Sequence, residues 1–289
     1  MPTDLLVDSN SLYARAWYAT KGVPYQTVIA TLQMSLVCIN PRRVGEKIDR
    51  IMFCWDAGQK LAKEREPRPK AYEDTKEHVA ACLEGIYGAN NVRIAPHEAD
   101  DIIATAATQS QSDHVIIATG DKDLHQLNDS KISIFDIATK GMVGRREIVS
   151  RWHIKRPCQL AIALAIQGDS SDNIPGIKGW GPKKVQALFE SVTPEMEFED
   201  ALGVVVEQIP KTKHEEFLTA LDLTLLHCDI PGVPEPSVLA LCDPTMLEQQ
   251  SLGELTAHYR QVYNEYAGID SEASLTRRVD ALMKMIDER

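Results

Sequence analysis

The residues of this 289-residue chain that could do chemistry are acids. Asp8 and Asp56 each end a short apolar run, Leu5-Leu6-Val7 and Ile51-Met52-Phe53-Cys54-Trp55. Glu98, Asp100 and Asp101 crowd into an expected helix start, where Glu98 and Asp101, three apart, share a face. Asp121 and Asp123 leave a third apolar run, Val115-Ile116-Ile117-Ala118-Thr119. An extended backbone there would point residues i and i+2 to one side. Asp169 and Asp172 stand in the loop Gly168-Asp169-Ser170-Ser171-Asp172-Asn173. Each group alone has a plainer explanation. A lone Asp caps the helix that follows it, acids suit a helix N-terminus, and Gly-Asp makes a tight turn. Together, these nine carboxylates repel one another unless cations lie among them. Mg2+ and Mn2+ prefer such hard oxygen ligands. Two such ions about 4 Å apart ready a water and stabilise a leaving oxygen at phosphorus. The expected chemistry is therefore metal-dependent phosphoester hydrolysis, with phosphatase and nuclease both open on the acids alone.

Two further constellations carry positive charge. Gly176-Ile177-Lys178-Gly179-Trp180-Gly181-Pro182-Lys183-Lys184 combines glycines that let main chain approach a phosphate with a proline suited to a first helical turn. Lys183 and Lys184 add charge beside the N–H groups of that helix start. Two helices around such a loop would contact DNA through its backbone, blind to base sequence. The third constellation is the stretch holding Lys60, Lys63, Arg65, Arg68, Lys70 and Lys76, directly after strand-end Asp56. It would hang over the acidic pit and guide a single strand. A weaker patch has Arg145, Arg146, Arg151, Lys155 and Arg156 around Trp152.

The elements that must position these residues follow from periodicity. Apolar runs at 5–7, 51–55, 92–95, 115–119 and 132–135 read as strands, alternating with helices at 11–20, 25–39, 74–87 and 99–109. Strands alternating with helices imply a mostly parallel sheet covered on both faces, with its ligand site at the carboxyl ends of the strands. After about residue 145 the pattern turns helical, at 146–152, 157–167, 182–191, 213–227, 246–266 and 272–286. The predicted organisation is an α/β core over 1–145, a helical DNA-binding region over 146–230 and a helical extension over 231–289. The charge of 31 basic against 42 acidic residues, net −11, argues against nucleic acid if spread evenly. Two divalent ions would offset four of those eleven charges. The six cysteines are far apart and read as reduced thiols. No apolar run reaches the roughly 18 residues of a membrane span, and the N-terminus lacks a signal-peptide pattern, so a cytoplasmic protein is expected.

Five motifs in order resemble the 5′-nuclease superfamily, which includes the 5′-nuclease domain of bacterial DNA polymerase I and the bacterial and phage flap endonucleases. They are Leu6-Val7-Asp8 with Tyr13-Ala14-Arg15-Ala16, Phe53-Cys54-Trp55-Asp56, Glu98-Ala99-Asp100-Asp101, Thr119-Gly120-Asp121-Lys122-Asp123-Leu124, and Gly168 through Gly176 continuing to Lys184. The resemblance covers roughly residues 4–230. It implies a PIN-like α/β core, a helical arch over about 58–88 and a helix-hairpin-helix that grips duplex through a bound K+. It further implies a monomeric enzyme, acting at 5′ flaps, nicks and 5′ ends of DNA in the cytoplasm of a bacterial or phage-infected cell. Asp8, Asp56, Glu98, Asp100 and Asp121 would serve one Mg2+, with Mn2+ able to substitute. Asp123, Asp169 and Asp172, with a shared ligand, would serve a second, and Asp101 belongs to the same acidic set. Lys63 and Lys70 would contact the scissile phosphate. Arg15, Lys60, Arg65, Arg68, Gly176, Gly179, Gly181, Lys183 and Lys184 would contact DNA. Three positions depart from the family pattern: Ser9 replaces a glycine, Pro96-His97 precedes Glu98, and Pro69-Lys70-Ala71-Tyr72 stands where Tyr-Lys-x-x-Arg is common. With no polymerase domain in the sequence, a free-standing nuclease is expected. A related ribonuclease and a non-catalytic binder of branched DNA are the alternatives, the latter disfavoured because all nine acids are present.

Overall fold

Successive side chains of the apolar runs enter two different cores. Leu5, Val7, Ile51, Phe53, Ile116 and Ala118 pack into one, while Leu6, Met52, Cys54, Val115 and Ile117 pack into the other. Alternation with both faces apolar is what a strand buried on both sides requires. The computed structural model describes residues 2–57, 68–89 and 91–239. The first half runs β1 (Thr3–Asp8), α1 (Ser9–Ala19), α2 (Pro24–Cys38), α3 (Pro41–Val44), β2 (Arg50–Cys54), α4 (Lys70–Tyr87), β3 (Asn91–Val92), α5 (Ala99–Gln109) and β4 (His114–Thr119). It continues through β5 (Ile132–Asp136), β6 (Gly141–Val143), α6 (Arg145–Trp152), α7 (Leu160–Gln167), α8 (Pro182–Leu188), α9 (Phe198–Gln208), α10 (His214–Thr224) and β7 (Ser237–Val238).

The sheet order is β3-β2-β1-β4-β5-β6, and β7 pairs with β2. The first five strands are parallel; β6 and β7 run antiparallel at the margins. The chain goes from β1 outward to β2 and later returns to place β4 on β1's other side, so β1 and β4 flank a switch in strand order. Their carboxyl ends open the crevice where such sheets bind ligands. Helices α1, α2 and α4 cover one face and α5 the other. A third apolar core, built from α6 to α10, forms the helical region. It is tied to α5 by long-range contacts: the His227 N–H donates to Asp101 Oδ1 at 3.0 Å and the Ile230 N–H to Thr105 Oγ1 at 3.1 Å.

Several elements differ from expectation. The strand expected at 92–95 stops at Val92, and α4 begins at Lys70, four residues early. Helix α9 was not expected, because Gly203 and the β-branched run Val204-Val205-Val206 mask its periodicity. The helices expected at 246–266 and 272–286 lie outside the described residues, as do Lys60, Lys63, Arg65 and Cys242. Among the described residues, no helix is long and apolar enough to cross a membrane.

At the amino end of β1, Asp4 is wholly buried. Arg50 Nε and Nη2 donate to its two oxygens at 2.7 and 2.8 Å, and the hydroxyls of Ser110 and Ser112 donate at 2.7 and 2.8 Å. Removing one partner of a buried pair leaves an uncompensated charge. Arg50→Ala should lower unfolding free energy by about 3–5 kcal/mol in urea titrations. A loss below about 1 kcal/mol would mean the pair is worth no more than a surface bridge.

Candidate metal centre

The crevice between β1 and β4 is closed at its floor by hydrogen bonds between the two strand ends. Asp8 ends β1 and caps α1, its Oδ1 accepting from the Ser11 N–H at 2.9 Å. Its Oδ2 accepts from the Thr119 hydroxyl of β4 at 2.7 Å. That hydroxyl in turn accepts from the Asp121 N–H at 2.8 Å, and Ser11 Oγ accepts from the Gly120 N–H at 3.1 Å. Asp56, just past β2, caps the start of α5 rather than α4: its Oδ1 accepts from the Ala99 N–H at 2.9 Å. Capping and site-building thus coincide at Asp8 and Asp56, since one carboxylate oxygen holds a helix start while the residue faces the crevice. Asp8, Asp56, Glu98, Asp100, Asp121 and Asp172 all line one cleft of about 880 Å³.

Asp123, Asp169 and Asp172 form a second group, buried, with one carboxylate oxygen from each lying within 4.8 Å of the others. The chain from β4 to Asp123 is not extended. The Asp123 N–H donates to Asp121 Oδ1 at 2.9 Å, and Asp123 opens a 3-10 turn over Asp123–Leu127. This corrects the expected side-by-side pair: the turn sends Asp123 to the second group and leaves Asp121 on the cleft wall. Asp169 and Asp172 arrive on a tight loop closed by two backbone bonds between Asp169 and Ile174, at 2.7 and 2.8 Å. Gly168 (φ +80°) and Gly176 (φ +61°) pack backbone to backbone beneath that loop, and a Cβ on Gly176 would lie 2.2 Å from Gly168 N. Gly176 is therefore a buried packing residue rather than the exposed contact expected for it.

The electrostatics suit a hard cation. Burial pushes Asp8 up to about 7; bonds from Ser11 and Thr119 oppose this, while Asp121 and Asp56 add to it. Burial likewise pushes Asp123 up to about 7, reinforced by Asp121 and, against Lys122, by Asp172 and Asp169. Asp123 Oδ1 is buried with no hydrogen-bond partner among the described residues. Burial also disfavours an ionised Asp169, but its bonds with Lys122 and Ser171 hold it below the usual range. An all-carboxylate donor set with an orphaned buried oxygen fits Mg2+ or Mn2+.

Two expected site residues stand elsewhere. Asp101 is buried, and its carboxylate takes the His227 N–H, so it joins the helical region to α5 instead of facing the cleft beside Glu98. Lys70 is 86% exposed at its side chain and ion-paired to Asp74. The described cations on the cleft wall are instead Arg68, Lys76, Lys122 and Arg151, with His125 beside them. Arg68 stacks on Tyr72 at 4.7 Å, and Lys76 sits over the Trp55 ring at 5.5 Å. Lys76 had a legible signal, standing in the otherwise buried helical stripe Tyr72-Lys76-Val79-Leu83. Asp136, at the end of β5, also followed the strand-end rule and lines the cleft while capping a turn at Ala138. Arg151 belongs to the weaker basic patch around Trp152, whereas His125 carries no signal in the sequence. Arg15 is exposed on α1; Gly179 (φ +81°) and Lys183 are exposed, Gly181 and Lys184 partly so, and Lys184 Nζ lies 4.6 Å from the Trp180 ring.

Residues 3–153 match the family model described as 5'-3' exonuclease, N-terminal resolvase-like domain. The chain belongs to that family. A 5'-3' exonuclease of Bacillus subtilis is 28% identical over 263 residues, covering 78% of this chain and 84% of its own length. The DNA polymerase I of the same organism is 28% identical over 253 residues, and the match spans 28% of the polymerase. Among solved structures, the T5 D15 protein co-crystallised with metal ions shares the fold with a TM-score of 0.62 at 15% identity, covering 98% of this chain and 99% of that one. The catalytic core of Rad2 in complex with DNA substrate does so with a TM-score of 0.57 at 16% identity, over 91% and 92% of the two chains.

Raised acid pKa values set a pH dependence. In the absence of metal, Asp8 and Asp123 are easiest to accommodate below their ordinary 3.8, and that contribution is lost as pH rises toward about 7. A bound divalent ion reverses the sense, since it needs the charged carboxylates. The Mg2+-induced rise in Tm should therefore be larger above about pH 7 than below about pH 6, as read by calorimetry. An equal or larger rise at the acidic end would contradict these assignments.

Proposed function

We propose that this chain is a structure-selective 5′-nuclease that hydrolyses DNA phosphodiesters, as a 5′-3′ exonuclease and 5′-flap endonuclease, and leaves a 5′-phosphate. The observation that carries this reading is that the second carboxylate group adjoins the acidic cleft through Asp172, which belongs both to the cleft wall and to that group. Asp8, Asp56, Glu98, Asp100 and Asp121 would hold one Mg2+ or Mn2+. Asp123, Asp169 and Asp172 would hold the other. When bound, such ions supply the activation of water and the charge stabilisation that phosphoryl transfer needs.

The chain's own residues do the rest. Thr119, Ser11 and the Asp121 turn fix the carboxylates before substrate arrives, so little reorganisation is left for the transition state. Among the described residues, Lys76 and Arg68 stand on the cleft wall and bind the scissile phosphate in place of the exposed Lys70, while Lys63 lies outside the described residues. Trp55 and Tyr72 hold the two cations over their ring faces, which limits their freedom. The loop between α7 and α8, with Gly179 and Gly181, and the first turn of α8, with Lys183 and Lys184, support a helix-hairpin-helix contact to duplex backbone, with K+ as its ion. Its linkage to the loop of Asp169 and Asp172 couples duplex grip to cutting. The three-part organisation over 1–145, 146–230 and 231–289 and a monomeric enzyme complete the proposal.

The test is digestion of 5′-labelled flap, nicked and blunt DNA and of single-stranded RNA, with and without Mg2+. Flap and nicked DNA should be cut in Mg2+ alone, and Asp121→Asn or Asp169→Asn should each reduce the rate about a hundredfold or more, some 2.7 kcal/mol. Variants that cut as fast as the parent would end the catalytic reading, and preferential cutting of RNA would move it to a ribonuclease. Lys76→Met should lower kcat on the order of a hundredfold, with Lys70→Met changing it little.

A further inference from the structure

Lys122 lies between the two acids of the β4 turn, and its ammonium group is committed to the second carboxylate group. Its Nζ stands 2.6 Å from Asp169 Oδ2 and donates to Ser171 Oγ at 2.6 Å. The Lys122 side chain is 24% exposed and that of Asp169 only 4%, so the pair sits at the inner edge of the cleft rather than on open surface. Asp169 Oδ2 belongs to one of the three residues whose carboxylate oxygens gather within 4.8 Å, while Asp169 Oδ1 is engaged by the Ser171 hydroxyl and N–H. Oδ2 is therefore the oxygen that Asp169 has left to offer an ion, and Lys122 is on it.

We infer that Lys122 is a built-in competitor for the second divalent ion, its ammonium group occupying the Asp123–Asp169–Asp172 group until an ion displaces it. This rests on the metal reading of the site. An ammonium and a divalent ion cannot share Asp169 Oδ2 at contact distance without strong repulsion in a partly desolvated setting. Filling the second site must therefore move the lysine, and Ser171, which already accepts from Nζ and is exposed, offers it a place to go. The two ions then bind with separated affinities, the weaker at the second group. The lysine also keeps that group partly neutralised while it waits, which a bare triad of buried acids would not manage.

The experiment is a Mn2+ titration of the full chain followed by electron paramagnetic resonance and calorimetry, with Tm as a check of folding. The parent should show two classes of site. Lys122→Met should tighten the weaker class at least about tenfold with little change in the stronger, whereas Lys122→Arg, which keeps the cation, should resemble the parent. Asp169→Asn should remove the weaker class. The inference is overturned if Lys122→Met leaves the weaker class unchanged or loosens it, if the parent shows two equal sites, or if Asp169→Asn spares both classes. A single class in both parent and Lys122→Met overturns it while leaving the first site standing. No Mn2+ binding at all removes both this inference and the metal reading beneath it.

Discussion

Everything in this structure is arranged around the cost of burying several negative charges next to one another. β1 shows the problem at both of its ends. Asp4, at the amino end, is fully buried, and Arg50 and two serines satisfy it completely. Asp8, at the carboxyl end, is 3% exposed and among the described residues has only a hydroxyl and a backbone N–H for partners, with further acids facing it. The same strand thus carries a buried acid neutralised from within the chain and one left to be neutralised by a proton or by a cation from outside. The second kind defines a site.

Holding such a group together takes connections that reach across the fold. The switch in strand order between β1 and β4 brings Asp8 and Asp121 to one crevice, and the Thr119 hydroxyl locks the two strand ends. The loop of Asp169 and Asp172 comes from the helical region, where Gly168 and Gly176 permit a backbone approach no other residue would allow. Asp101 anchors that region to α5 through His227. The acidic cleft and the helical region are therefore mechanically joined, so under the proposed function a duplex held by one would be presented to the other.

The architecture was legible because parallel strands buried on both faces leave nearly continuous apolar runs, and acids at their ends fall outside the core by necessity. Helix α5 matched its expected bounds because acids at its start and apolar spacing agreed. What failed to show was decided by contacts distant in sequence or by local turn chemistry. Asp101 carries the same charge as its neighbour Asp100, but it stands off the cleft, and its carboxylate takes the N–H of His227, 126 residues away. Asp121 and Asp123 do not stand side by side because Asp121 accepts the Asp123 N–H and folds the backbone into a turn, a local tendency of Asp that strand periodicity does not show. Lys70 lies nearer the expected motif, but of the two lysines it is Lys76 that stands on the buried stripe of α4. β6 and β7, three and two residues long, hold too few side chains to leave a period.

The proposed function needs two ion sites, one at each of the two carboxylate groups that meet at the cleft through Asp172. Crystals soaked in Mn2+ would test this most directly by anomalous scattering. Two peaks are predicted, one among Asp8, Asp56, Glu98, Asp100 and Asp121, the other among Asp123, Asp169 and Asp172, the second requiring the higher Mn2+ concentration. A peak bound by Asp101, or no density at either group under saturating Mn2+, would contradict it.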